Sequence, residues 1–295
     1  MMTNVANFKH PEFLVSVDWL LENPEDPNLR IYDCTAHLIP HPTETYTIGS
    51  GKGDYEKAHI PGADFLDLQQ ELSNNTSKLR FTFPSAEHFS KAIGAHGLSN
   101  DNQAVLYSTT SPQWATRIWW MLRAFGFDNA KVLDGGLIRW MQKGYPTSTI
   151  PSTYPEQSFT ARPRPGLIIQ KSEVLEGIHD SNTCIINALS QEQHIGVGGR
   201  TYGRPGRIKD SENVPTTELI DPETNEFYPA AVIAERFASV GTQSSDRVLT
   251  YCGGGIAASA TAFLLIMLGH TNVGLYDNSL SEWAIDESLP MEIGD

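Results

Sequence analysis

Hydrophobic and polar residues follow the same order twice along this chain. Residues Ala104 to Trp140 read AVLYSTTSPQWATRIWWMLRAFGFDNAKVLDGGLIRW, and Val248 to Trp283 read VLTYCGGGIAASATAFLLIMLGHTNVGLYDNSLSEW. In each, a short apolar strand ends at Tyr107 or Tyr251 and is followed by a loop of small residues. Bulky apolar residues then continue with helical density to Gly126 or Gly269. A second strand ends at Asp134 or Asp277, and a short segment after its turn ends at Trp140 or Trp283. A single indel in the loop aligns the two stretches, so the chain carries an internal repeat.

The repeat extends upstream. Lys57-Ala-His-Ile-Pro-Gly-Ala63 has a counterpart in Pro205-Gly-Arg-Ile-Lys-Asp-Ser-Glu-Asn-Val-Pro215, and the apolar stretches Leu29 to Asp33 and Thr183 to Asn187 precede them. Each half thus predicts strand, long loop, strand, helix, strand, small-residue loop, helix, strand. That order belongs to an α/β fold with a mainly parallel sheet flanked by helices. Between the halves, PTSTIPSTYPEQSFTARPRPG is rich in Pro, Ser and Thr and lacks helical periodicity. The expected division is an N-terminal domain over 1–145, a linker over 146–166 and a C-terminal domain over 167–295. A length of 295 residues agrees, at roughly 100 to 200 residues per domain.

Composition narrows the function classes. Thirty-five acidic residues against 21 basic ones give a formal charge of −14, which repels phosphate backbones and anionic membranes. Nucleic acid and membrane are therefore not expected partners, and an anionic substrate needs a local cluster of arginines. The three cysteines, Cys34, Cys184 and Cys252, have no metal-binding spacing and cannot close into a disulfide framework, as expected of a reducing cytoplasm. The opening MMTNVANFKHPEF has no apolar run of signal-peptide length, and Ala257 to Leu268 is too short to span a bilayer.

Cys252 is the candidate for chemistry. In a parallel α/β sheet, ligands gather where a strand's carboxyl end leads into a helix. Cys252 follows Arg247 to Tyr251 at that point, Gly253, Gly254 and Gly255 come next, and Ile256 and Ala257 open the helix. Glycines let successive amide N–H groups turn inward, forming an anion nest at the positive end of the helix dipole. Such a nest stabilises a thiolate or a persulfide. It also fits a phosphate, but Cys-dependent phosphatases close the loop with an Arg about six residues after the Cys, and Ala258 stands there. A buried structural Cys beside a flexible loop is the bland alternative, and the run of three glycines argues against it. Gly49 to Asp54 lacks P-loop spacing, and neither H-E-x-x-H nor G-x-S-x-G occurs. Cys34 and Cys184 read as buried small residues.

At this point the residues resemble a family. His59-Ile-Pro-Gly-Ala63, the run Tyr202 to Gly206, Asn213-Val-Pro215, Asp221-Pro-Glu-Thr224, the Cys252 loop and Tyr276 to Trp283 together resemble the tandem rhodaneses. That family includes thiosulfate sulfurtransferases and 3-mercaptopyruvate sulfurtransferases, and the likeness covers nearly the whole chain. It implies a double displacement without metal or organic cofactor. A small sulfur-donor anion passes sulfur to Cys252, and the persulfide passes it to cyanide, a thiol or a thioredoxin-like acceptor. The amides of Gly253, Gly254, Gly255, Ile256 and Ala257 are the expected cradle.

The donor side departs from both familiar subtypes. Animal-type thiosulfate enzymes carry basic residues just after the Cys, where Gly253 and Gly254 stand here. Mercaptopyruvate enzymes carry Cys-Gly-Ser/Thr-Gly and two arginines after the first strand of the second domain, whereas Gly254, Leu189 and Gln193 occupy those positions. The remaining candidates for a donor clamp are Arg204 and Arg80, then Arg207 and Arg200. Ser108 takes the place of Cys252 in the first half, and a hydroxyl is too weakly acidic to carry sulfur, so that half is expected to be catalytically silent. The leading expectation is a sulfurtransferase using thiosulfate or a related donor. The alternatives are a mercaptopyruvate sulfurtransferase and a rhodanese-like binding module without turnover.

Overall fold

A computed structural model of the chain describes residues 8–23, 26–42 and 45–294. Residues 1–7, part of the stretch read above for a leader, lie outside them. The chain divides into two compact units, one holding Pro11–Arg164 with Asp221–Phe227, the other Pro165–Ile220 with Tyr228–Asp295 and the N-terminal Met1–His10.

The first unit contains β1 (Leu14–Val15), α1 (Val17–Glu22), β2 (Leu29–Asp33), β3 (Ala36–Ile39), β4 (Thr47–Ser50), α2 (Lys52–Lys57), β5 (Asp64–Phe65), α3 (Ala86–Ala95), β6 (Gln103–Tyr107), α4 (Gln113–Ala124), β7 (Ala130–Leu133) and α5 (Gly136–Gln142). Its sheet runs β1-β7-β6-β2-β5 with every pair parallel. The central strands β2 and β6 align Leu29 with Gln103 and Asp33 with Tyr107. Ser16 and Ser85 cap α1 and α3 through their hydroxyls, satisfying amides that lack partners in a first helical turn. The long loop expected after β2 contains the antiparallel hairpin β3–β4 and α2.

The second unit contains β8 (Ile168–Ile169), α6 (Lys171–Ile178), β9 (Thr183–Asn187), α7 (Gln191–Ile195), β10 (Arg207–Ile208), β11 (Glu212–Asn213), α8 (Ala230–Ala238), β12 (Arg247–Tyr251), α9 (Ile256–Met267), β13 (Val273–Tyr276), α10 (Ser279–Trp283) and β14 (Met291–Glu292). Its parallel sheet runs β11-β9-β12-β13-β8, which repeats the first unit's order read from the other edge. Helix α9 is buried at every position except Ala257, as expected for a helix apolar all round. The N-terminal segment joins this unit, where the N–H groups of Lys9 and His10 both bond to the Met267 carbonyl at 2.9 and 3.1 Å.

The repeat recurs atom by atom. The Tyr107 hydroxyl accepts from the Ile60 N–H at 3.2 Å, and the Tyr251 hydroxyl from the Ile208 N–H at 3.1 Å. Trp140 donates its indole N–H to Pro146, and Trp283 donates to Pro290. His59 bridges Ser148 as Arg207 pairs with Glu292.

The stretch expected to be a linker is therefore bound structure over most of its length. Residues 146–164 belong to the first unit: Phe159 is buried, Gln157 bonds to Gly94, and Arg162 bonds to Phe125. Its Pro, Ser and Thr residues suppress a helix without preventing an extended strap from packing. The segment Asp221–Phe227 also belongs to the first unit, where the Phe227 N–H donates to the Asp134 carboxylate at 2.8 Å.

Candidate functional site

The carboxyl end of β12 is fixed before it reaches Cys252. Tyr251 is buried, and its hydroxyl meets the Ile208 amide and the Ser211 hydroxyl, the latter at 2.7 Å. Beyond it, the Cys252 N–H donates to Ser279 Oγ at 3.0 Å, and the Cys252 carbonyl accepts from the Leu280 N–H at 3.1 Å. The Gly253 carbonyl accepts from the N–H and the hydroxyl of Ser281 at 2.9 and 2.6 Å.

These bonds orient the loop. The carbonyls of Cys252 and Gly253 face the α10 segment, and in a trans peptide the N–H lies opposite its own C=O. The amides of Gly253 and Gly254 therefore point to the other side of the loop. Among the described residues, the N–H groups of Gly253, Gly254 and Gly255 make no main-chain hydrogen bond. Gly255 takes a left-handed conformation (φ +77°) as the N-cap of α9, which glycine adopts without a Cβ clash. Free amides leading into a helix N-terminus suit an anion, because dipole and donors act together.

Cys252 keeps only 3% of its accessible surface, so its approach is narrow. The other two thiols are built differently. Cys34 and Cys184 direct their S–H groups at the carbonyls of Tyr32 and Val240. Burial pushes both thiols up, Cys184 to about 12, and holds them as neutral packing groups. In the first unit, Ser108 donates its hydroxyl to the Ser111 carbonyl at 2.6 Å, and the Thr109 N–H is taken by Thr35 Oγ1 at 2.8 Å. The polar groups of that loop are thus taken up by Ser111 and by Thr35, which follows β2.

The four arginines separate. Arg204, ranked first from its place in the loop, is turned to the backbone. Its guanidinium donates to the carbonyls of Ala284, Trp283 and Asp286 at 3.2, 3.3 and 2.6 Å. Arg207 donates to the Gly294 carbonyl and lies 3.6 Å from the Glu292 carboxylate. Arg80 belongs to the first unit and stacks over the Tyr46 ring at 4.9 Å. Arg200 lines a small cavity with Tyr202, Gln193 and Leu189.

Two residues of the site escaped sequence reasoning. Ser279 holds the Cys252 amide from a left-handed conformation (φ +50°) that is unfavourable for serine. Its repeat partner is Gly136 (φ +53°), so a serine retained where the other copy has glycine was the available signal. Tyr202 places the tip of its ring against Gly253, where a Cβ would lie only 1.9 Å from the ring carbon Cζ. No local pattern announces that contact.

The rhodanese-like domain family matches residues 16–143 and 170–286. The chain is 32% identical to thiosulfate/3-mercaptopyruvate sulfurtransferase 2 of Arabidopsis thaliana, across 98% of this chain and 89% of that one. It is 29% identical to thiosulfate sulfurtransferase of Rattus norvegicus, over 92% and 91% of the two chains. The crystal structure of 3-mercaptopyruvate sulfurtransferase from Escherichia coli superposes with a TM-score of 0.76 at 30% identity, covering 92% of this chain and 99% of that one.

Proposed function

The chain belongs to the rhodanese family and is a sulfurtransferase, and we propose that it carries sulfane sulfur as a persulfide on Cys252. The observation that carries this reading is the polarity of the Cys252 loop. Its carbonyls are tied to α10 while its amides are left to face an anion at the start of α9. The Cys252 thiolate attacks the outer sulfur of thiosulfate, the S–S bond breaks, and sulfite leaves with the bonding pair. Cyanide or a thiol, including the dithiol of a thioredoxin-like protein, then takes the terminal sulfur and restores the thiolate. The amides of Gly253, Gly254, Gly255, Ile256 and Ala257 spread over the charge at each stage, so the site's own residues supply the electrostatics.

Thiosulfate is the leading donor and 3-mercaptopyruvate the second, favoured by the names of the relatives at 30% identity and above. For mercaptopyruvate the thiolate takes the sulfur and a C–S bond breaks, leaving the enolate of pyruvate. Arg200, which lines a small cavity with Leu189, Gln193 and Tyr202, is the donor-binding arginine we favour. The first half serves as a silent scaffold. Three unpaired cysteines suit a reducing compartment such as the cytoplasm. No helix among the described residues is long and apolar enough to cross a membrane.

The test is thiocyanate formation from each donor and cyanide, with intact mass measured after donor alone. Wild-type protein gains one sulfur atom and turns over, whereas Cys252→Ser does neither. Equal initial rates in the two proteins would remove Cys252 from the mechanism.

A further inference from the structure

We propose that Tyr202 roofs the Cys252 loop and selects donors by size, a role that rests on Cys252 being the sulfur carrier. Three observations meet at this residue. The tip of its ring occupies the space any side chain at position 253 would need, with Cζ and Oη 1.9 and 2.1 Å from an ideal Cβ built there. Gly253 itself is buried and Cys252 is 3% exposed, while Tyr202 is half-buried and packs on the apolar core of its unit. The ring is thus the outer layer over the residue next to the sulfur.

The loop that carries the ring is pinned on both sides. Before it, Gln193 donates its amide to the Arg200 carbonyl at 2.7 Å, and Gly199 (φ +74°) turns close against the Gln193 side chain. After it, Arg204 grips the carbonyls of residues 283, 284 and 286 through main chain and side chain. Gly203 (φ +138°) lets the backbone approach Ala284, where a Cβ would come within 2.8 Å of the carbonyl. Arg204 is therefore a positioning residue, acting on Tyr202 and not on the donor. A roof built from an aromatic ring discriminates by shape. Compact donors such as thiosulfate pass it more readily than aryl thiosulfonates.

The test compares wild type, Tyr202→Phe, Tyr202→Ala and Arg204→Gln as full-length proteins. Alkylation of Cys252 by iodoacetamide and by N-ethylmaleimide is followed by peptide mass mapping, and kcat and KM are measured with thiosulfate and benzenethiosulfonate. Tyr202→Ala is expected to raise the maleimide rate and the kcat/KM ratio for benzenethiosulfonate over thiosulfate by about tenfold, the discrimination a pocket wall typically provides. Tyr202→Phe keeps the ring and is expected to stay close to wild type in alkylation. Arg204→Gln moves in the direction of Tyr202→Ala, and carries the test if the alanine variant does not fold. Unchanged alkylation and donor ratio in both variants overturns the proposal, as does a phenylalanine variant that behaves like alanine. Full turnover by Cys252→Ser would sink the persulfide reading separately, since the alkylation rates report the roof without any turnover.

Discussion

Ser279 Oγ accepts a hydrogen bond from the Cys252 N–H at 3.0 Å and donates its own to the Tyr276 carbonyl at 2.7 Å, so one hydroxyl ties the Cys252 loop to the end of β13. It does so at φ +50°, a conformation that costs an L-residue roughly 1–2 kcal/mol. The matching Gly136 at φ +53° avoids that cost, and a Cβ there would fall 2.4 Å from the Ser108 carbonyl. The copy that holds the thiol tolerates a strained residue for the hydrogen bond, and the copy that lacks the thiol does not.

Replacing Ser279 separates strain from bonding. Ser279→Ala keeps the left-handed backbone and leaves the buried Cys252 N–H unpaired, a loss of about 1–3 kcal/mol. Ser279→Gly loses the same bond but relieves the strain. Chemical denaturation should therefore rank wild type above glycine and glycine above alanine, with sulfur transfer reduced in both variants. An alanine variant more stable than the glycine variant would contradict the strain argument.

The arrangement of this loop was legible because its parts are consecutive: strand, Cys252, three glycines and helix occupy one stretch of sequence. The central strands Leu29–Asp33, Thr183–Asn187 and Arg247–Tyr251 were legible for the same reason. The two-residue edge strands β1 and β8 were not, since they exist only through pairing with β7 and β13. Nor was the fate of Arg204. A guanidinium serves an anion or a set of carbonyls equally well, and only the return of the chain at residues 283–286 decides between them.

That assignment predicts an outcome for Arg204→Lys. An ammonium keeps the charge but not the planar fork, and it leaves at least one carbonyl without its donor. The expected loss is about 1–3 kcal/mol, or several degrees in thermal midpoint for a unit of this size. A donor clamp would instead show a raised KM for anionic donors at unchanged midpoint, which steady-state kinetics and a thermal melt together decide.

Asp134 gives the first unit a pH signature. Burial pushes its carboxyl up to about 7, against the Phe227 and Gly135 amides that favour the charged form. An unfolded Asp titrates near 3.9, so between these values the folded state binds more protons than the unfolded one. Stability is thus highest on the acid side and declines as pH rises from about 4 to about 7, by a few kcal/mol at about 1.4 kcal/mol per unit. Asp134→Asn retains a carbonyl for Phe227 and removes the titration. Relative to wild type, the variant should gain stability between pH 5 and about pH 7 and level off above that, as read from denaturation midpoints. A constant difference across that range would exclude Asp134 as the source.

Gly253→Ala tests the contact between roof and loop from the other side. The added methyl collides with Cζ and Oη of Tyr202 at 1.9 and 2.1 Å, and these atoms lie at the far end of a side chain that can rotate away. The collision therefore displaces the ring instead of breaking the sheet. Gly253→Ala alone should lower the thermal midpoint and speed alkylation of Cys252. In Gly253→Ala/Tyr202→Ala the methyl meets no ring, so the second substitution costs less than it does in wild type. Residues in direct contact couple by about 0.5–3 kcal/mol in such a cycle, whereas independent sites add within roughly 0.5 kcal/mol. Additive stabilities would mean that Tyr202 does not rest on Gly253 in solution, and the closeness of ring and glycine would then have no bearing on how Cys252 is reached.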